Sequence, residues 1–229
     1  MDAVEQALQA VLDRVAAAER RFGRPAGSVA LLAVSKTRDA GQIGRAAALG
    51  QRDFGENYLQ EALPKMAALV GAGLTWHFIG RVQSNKTADI AARFDWVHTV
   101  DRDKIARRLN EQRPERLPPL NVCVEVNVSG EASKSGVAPN ELGPLLACIA
   151  AMPRLHLRGL MTLPRPEADF GRQRLPFREL AALLATHRER YGLDTLSMGT
   201  TADMEAAIAE GATWVRIGTA IFGPRQSVE

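Results

Sequence analysis

The sequence predicts a (β/α)8 barrel of the TIM type, and three observations carry the prediction. Eight short apolar segments alternate with helical patterns along 229 residues, and that alternation implies a parallel sheet. The first segment, Val29 to Val34, is a continuous apolar run without polar alternation, the pattern of a strand buried on both faces. Too few residues follow the eighth segment to build a full helix, so the N-terminal helix is expected to fill that place on the outer ring. An open doubly wound sheet fits the same periodicity, but the strand count and the length favour closure. Residues 1–229 read as one barrel domain with an added N-terminal helix and no second domain.

Taken in order, Asp2 and Glu5 read as an N-cap and its partner three residues on, opening a helix whose apolar positions Val4, Leu8, Leu12 and Val15 recur at three and four. The helix ends near Phe22 and Gly23. The first strand and Lys36 follow, then a helix over Gln42 to Leu49, a short strand at Asp53 to Gly55, and a helix over Leu59 to Val70. Trp76 to Gly80 reads as a strand entering the polar turn RVQSNK and a helix to about Arg93. The unit repeats as strand Trp96 to Val100, helix Arg102 to Glu111, a proline-rich turn, and strand Leu120 to Val126. A long polar loop precedes the helix Glu141 to Ala151, and a strand near Leu157 to Leu160 leads into a second long loop. Pro176 is expected in the first turn of the next helix, which runs to about Tyr191. The last units are strand Thr195 to Met198, helix Met204 to Glu210 and strand Trp214 to Ile217. The loops 127–140 and 161–175 both leave strands at the face where barrel sites lie, and are candidate lids.

Composition excludes several classes. A formal charge of +3 with 24% charged residues comes from arginines scattered among acids, so neither a basic tail nor a nucleic-acid surface is expected. The N-terminus carries no apolar core of signal length and no run approaches a membrane span. Cys123 and Cys148 lie outside any CxxC pattern and read as buried thiols in a reducing compartment, so a cytoplasmic protein is expected. His98, His156 and His187 share no ligand spacing with cysteines or carboxylates, so no metal site is indicated; His77 in WHFIG reads as a satisfied barrel histidine.

Lys36 ends the first strand. Burial there would favour the neutral amine and ready it to condense with an aldehyde; alternatively its stem lies on apolar surface and its head reaches water. The chain uses five lysines against twenty-four arginines, so lysine at this position is a choice, and only lysine forms an imine. SMGTT (Ser197 to Thr201) and RIGTAIFG (Arg216 to Gly223) leave the seventh and eighth strands, where such barrels hold phosphate. Thr201, Gly218 and Thr219 supply hydroxyl and amide donors. Asp203 cuts against an anion unless it turns outward to the helix dipole. Arg216, in an otherwise apolar WVRIG, faces either a lone-pair acceptor such as a pyridine nitrogen or a barrel-interior carboxylate, Glu56 or Glu125.

With FGENYLQE, HFIGRVQSNK and SKSGV added to these stretches, the chain closely resembles the pyridoxal phosphate homeostasis protein family, itself similar to the N-terminal barrel of bacterial alanine racemase, a fold-type III pyridoxal phosphate protein. The resemblance implies a Schiff base at Lys36, phosphate held by Thr201, Gly218 and Thr219, the pyridine nitrogen facing Arg216, and Asn57 lining the pocket, with Met198 counted in the same set. Where the family commonly reads MGMS this chain reads MGTT: Thr201 keeps the hydroxyl and Thr200 replaces a methionine.

The family implies a non-catalytic carrier of pyridoxal 5'-phosphate in vitamin B6 balance, with pyridoxal phosphate-dependent apoenzymes as recipients; the chain is expected to be a monomer without nucleic-acid or membrane partners. The alternative is a racemase-like enzyme. Two-base racemisation needs a second acid/base group, which the racemases draw from a C-terminal domain that is not expected here; Tyr58, just after a strand, is the tyrosine in reach, and Tyr191 belongs to the opposite face. Lys134, on the loop after the fifth strand, reads as a solvated lysine or as a transient second aldehyde acceptor.

Overall fold

In the computed structural model, which describes residues 3–131 and 135–224, the strands close into a barrel in sequential order. Every ladder is parallel, as the unbroken apolar run at the first strand implied. The order is α1 (Ala3–Arg21), β1 (Ala30–Val34), α2 (Ala40–Ala48), β2 (Asp53–Glu56), α3 (Leu59–Ala68), β3 (Thr75–Phe78), α4 (Thr87–Arg93), β4 (Trp96–Val100) and α5 (Asp103–Gln112), then β5 (Leu120–Glu125), α6 (Leu142–Ala150), β6 (Leu155–Met161), α7 (Phe170–Tyr191), β7 (Thr195–Ser197), α8 (Met204–Ala209), β8 (Trp214–Ile217) and α9 (Thr219–Phe222). Short 3-10 turns at Ser84–Lys86 and Pro139–Glu141 lead into α4 and α6. The barrel closes through β1 and β8, with Ala30 opposite Trp214 and Ala33 opposite Ile217.

Helix α1 packs against α2, α8 and the single turn of α9, the outer-ring place expected for it. Its buried apolar positions are Val4, Leu8, Val11, Val15 and Ala18; Leu12, expected on the same face, is exposed. Arg14 ion-pairs with Glu205 of α8 at 2.8 Å. The N-cap expected at Asp2 lies outside the described residues.

Helix α7 corrects one expectation. Pro176 lies inside the helix, not in its first turn. The start is set by Asp169, whose Oδ1 accepts from the Arg172 amide at 2.8 Å, so the turn before Pro176 is already helical and the proline costs the bond to Arg172 O. The helix ends on Gly192 in the left-handed region, φ 66. Glycine is also required where β6 meets β7: a Cβ at Gly159 would sit 1.9 Å from Thr195 O.

The two candidate lid loops touch. Arg165 ion-pairs with Glu131 at 3.1 Å, and Val137 bridges back to Val126. Lys134 lies outside the described residues. Cys123 is buried, whereas Cys148, expected to be buried, is half-exposed on α6; its thiol donates to Asp103 Oδ1 at 2.6 Å. Among the described residues no helix is long and apolar enough to cross a membrane.

Candidate functional site

The site lies where β1 ends. The apolar run stops at Val34, and Lys36 sits on a turn two residues later, half-buried. Of the two placements open to it, the half-buried position is the one whose head reaches water rather than full burial, because the chain leaves the sheet at Ser35. Thr37 follows with φ 63, the left-handed region that a β-branched residue rarely adopts. Its amide is held by Glu61 Oε2 at 2.9 Å, so the backbone beside Lys36 is pinned in a strained geometry.

The desolvated lysine is Lys65, 7% exposed. Its Nζ donates to Glu56 Oε1 and Oε2 at 2.8 and 3.0 Å and to Ser35 O at 2.9 Å, and Ser35 Oγ donates to Glu56 Oε1 at 2.6 Å. Burial pushes the Glu56 carboxyl upward, and the Lys65 and Ser35 bonds pull against it. Glu56 is therefore engaged beneath Lys36 and is not the partner of Arg216.

A cavity of about 240 Å³ opens at the C-terminal mouth, the face where barrel enzymes place their sites. Lys36, Asn57, Thr201, Arg216, Gly218 and Thr219 all line it. Met198 does not: it is fully buried in the apolar core. Side chains alternate along extended backbone, so Ser197 faces the barrel interior, where it meets His98, and Met198 faces the helices. Met161 at the end of β6 and Leu163 line the cavity instead. Tyr58 is 53% exposed at the start of α3 and is not among the lining residues. Arg38, which sequence reasoning passed over, also lines the cavity and donates to Gly223 O and Pro224 O at 2.6 and 2.8 Å. Its place two residues after Lys36 was the available signal.

These residues fit an anionic, ring-bearing cofactor. A Cβ at Gly218 would meet Val34 O at 3.0 Å, so glycine keeps the backbone close at the wall. Thr219 opens α9, and first-turn amides have no acceptor within a helix. Thr200 donates through its amide and hydroxyl to Asp203 Oδ1 at 2.6 and 2.9 Å; the Asp203 carboxylate is thus folded onto its own loop. Asn57 Oδ1 is buried without a hydrogen-bond partner among the described residues, leaving one amide end for a ligand. A Cβ at Gly80 would lie 2.0 Å from Asn57 O, so glycine there lets the β3 loop press against Asn57.

Arg216 is 6% exposed. Its Nη1 donates to Ser197 O and Oγ at 2.6 and 3.0 Å and its Nη2 to Thr162 O at 2.9 Å. Among the described residues it makes no ion pair, so both carboxylate alternatives give way to carbonyl and hydroxyl partners. Burial lowers the guanidinium from its ordinary value.

Glu125, at the end of β5, lines the same cavity and is 9% exposed. Burial and then the Asp101 charge push its carboxyl up to about 7, against Arg216 and Arg81. A folded value above the unfolded one means that the folded state binds the proton more tightly. The destabilisation is absent below the unfolded value and complete once pH passes the folded one. Glu125→Gln is therefore expected to gain stability relative to the parent by up to about 3 kcal/mol between about pH 5 and about pH 8. Denaturant midpoints at the two pH values check it; an unchanged difference would refute the assignment.

With the geometry in place, comparison with known proteins is direct. The profile of the alanine racemase N-terminal domain matches residues 7–226. A pyridoxal phosphate homeostasis protein of Pseudomonas aeruginosa is 56% identical over 225 residues, covering 98% of this chain and 97% of its own. The chain belongs to the pyridoxal phosphate homeostasis protein family. Another member, from Escherichia coli K12, is 52% identical over 229 residues, with 98% of each chain covered. Among solved structures, PipY of Synechococcus elongatus, with pyridoxal phosphate bound, is 34% identical with a TM-score of 0.80, over 91% of this chain and all of that one. In this member of the pyridoxal phosphate homeostasis protein family Thr201 lines the cavity, and the Thr200 hydroxyl donates to Asp203 Oδ1.

Proposed function

We propose that the chain holds pyridoxal 5'-phosphate as a Schiff base on Lys36 and carries it without turnover, for delivery to cytoplasmic apoenzymes, as a monomer. The observation that carries this reading is one cavity lined by a lysine from the β1 end and by the loops after β7 and β8. When bound, the cofactor supplies a reactive aldehyde and an electron-withdrawing ring. The protein's own residues do the rest. Thr201, Gly218 and Thr219 bind the phosphate, Arg216 presents a donor to the ring nitrogen, and Asn57 offers its unpartnered amide end. An arginine donor requires an unprotonated ring nitrogen and so weakens the ring as an electron sink, which suits holding rather than turnover. Membership of a family named for homeostasis points the same way.

The test is the absorbance of the purified chain on adding pyridoxal phosphate, followed by borohydride reduction and peptide mapping. A yellow protein with the adduct on Lys36 is expected; one that stays colourless and takes up no cofactor would end the proposal.

One observation favours a second reading, amino-acid racemisation. Glu125, a carboxyl near 7, lines the cavity from β5, across the barrel from β1, and a group poised near neutrality is what proton abstraction needs. Solvent deuterium at the α-carbon of any amino acid would support that reading, and no exchange across a broad panel would remove it.

A further inference from the structure

Two histidines are fully buried in the barrel interior, His77 on β3 and His98 on β4. They are joined to each other and to groups at both ends of the barrel. His77 Nε2 lies 3.0 Å from Asp53 Oδ1, His77 Nδ1 lies 2.9 Å from His98 Nε2, and His98 Nδ1 lies 2.8 Å from Ser197 Oγ. Ser197 Oγ in turn accepts from Arg216 Nη1 at 3.0 Å.

The direction of every bond follows from donor chemistry. Asp53 as a carboxylate only accepts, so His77 carries its proton on Nε2. Burial lowers His77 from its ordinary value, so the ring is neutral at pH 7 and its Nδ1 accepts. His98 must then donate from Nε2. Burial first, with the Arg216 charge beside it, holds His98 well below its ordinary value; it too is neutral, and its Nδ1 accepts from the Ser197 hydroxyl. The chain thus donates in one sense throughout, from Arg216 through Ser197, His98 and His77 to Asp53. Aligned bonds polarise one another in a low dielectric. Trp96 stacks on His77 at 5.5 Å and Trp214 lies 5.0 Å from it, so water is kept from its ring faces.

The ends of the chain differ. Arg216 lines the cavity. Asp53 opens β2, at the bottom face, and its side chain is 29% exposed. A buried cation with no ion pair among the described residues is thereby linked through neutral groups to an anion at the far end of the barrel.

We infer that Asp53, His77, His98 and Ser197 are positioning residues: a one-way hydrogen-bond relay that orients Arg216 at the cavity floor and lets the charge at the bottom face tune the ionisation of whatever Arg216 holds. The inference rests on the cofactor reading above for what is held, but not for the relay itself. Other charges facing these groups are Asp95, beside His77, and Glu125 and Asp203, toward Arg216.

Histidine ring nitrogen spectra of the full-length, isotope-labelled chain read the relay without any cofactor. Both buried rings are expected to be neutral and protonated on Nε2 at about pH 7 and above, the side of the ordinary histidine value on which lowered rings carry no charge. A ring protonated on Nδ1, or doubly protonated, at that pH overturns the inference. The coupling is then read from the absorbance of bound pyridoxal phosphate against pH. Asp53→Asn keeps an acceptor for His77 but removes the charge, leaving the cavity more positive. The absorbance midpoint is expected to move to lower pH by roughly two- to fivefold in ionisation constant, the range for charges separated through an intermediate dielectric. Ser197→Ala, which cuts the relay, should shift the midpoint as well. Glu189→Gln removes an exposed charge on α7 outside the relay and should not. A midpoint in Asp53→Asn equal to that of the parent and Glu189→Gln overturns the coupling. A parent chain that takes up no cofactor counts instead against the proposed function, with the ring spectra still deciding the relay.

Discussion

Lys36→Arg is expected to abolish the yellow absorption formed with pyridoxal phosphate and the borohydride-fixed adduct, leaving reversible binding at least about tenfold weaker, or 1.4 kcal/mol. Arginine keeps the cation and most of the stem but has no primary amine to condense with an aldehyde, so the variant separates charge attraction from covalent capture. Residual affinity should come from Thr201, Gly218 and Thr219, and titration with inorganic phosphate as competitor should reveal it. Lys36→Ala should lose the adduct as well. An adduct of undiminished yield in either variant, mapped to another lysine, would move the site.

The second large effect lies one layer below. Lys65→Met removes the counter-charge of Glu56, whose side chain is fully buried. Stranding one partner of a buried ion pair costs about 3–5 kcal/mol. Without Lys65 the burial of Glu56 is less opposed, and its carboxyl rises further. The loss should therefore be large at about pH 8 and smaller at about pH 5, where the carboxyl takes up a proton instead. Adding Glu56→Gln should restore part of the stability, because a neutral amide needs no counter-charge; a double variant no more stable than Lys65→Met would show that the pair is not the cause. Lys65 also holds Ser35 O, one residue before Lys36, so the single variant should weaken cofactor capture beyond its effect on folding.

Much of the architecture was legible because it rests on local patterning. Continuous apolar runs such as Val29 to Val34 describe strands covered on both faces, and Trp96–Val100 and Trp214–Ile217 form at the positions their composition indicates. The start of α7 was not legible, because the Asp169 cap overrides the helix-start preference of Pro176. Within the site, the residues at strand ends came together, since a barrel brings all its C-terminal strand ends to one mouth. Met198 falls in the core by the step-of-two alternation of an extended segment one residue past β7. The protein partners of Arg216 are oxygens of Ser197 and Thr162, contacts from two other strand ends that no spacing encodes.

By itself the sequence determined the barrel, the lysine at its mouth and the glycine- and threonine-bearing loops after β7 and β8, because each depends on residue type and on the order of elements along the chain. Only the tertiary structure decided which lysine is desolvated, that Glu56 belongs to Lys65, and that Asp53, His77, His98 and Ser197 line up behind Arg216. Those pairings join residues as far as 99 positions apart, Ser197 with His98. The physical reason is closure: wrapping the sheet points side chains from separate strands at a common axis, where burial forces every polar group to find a partner.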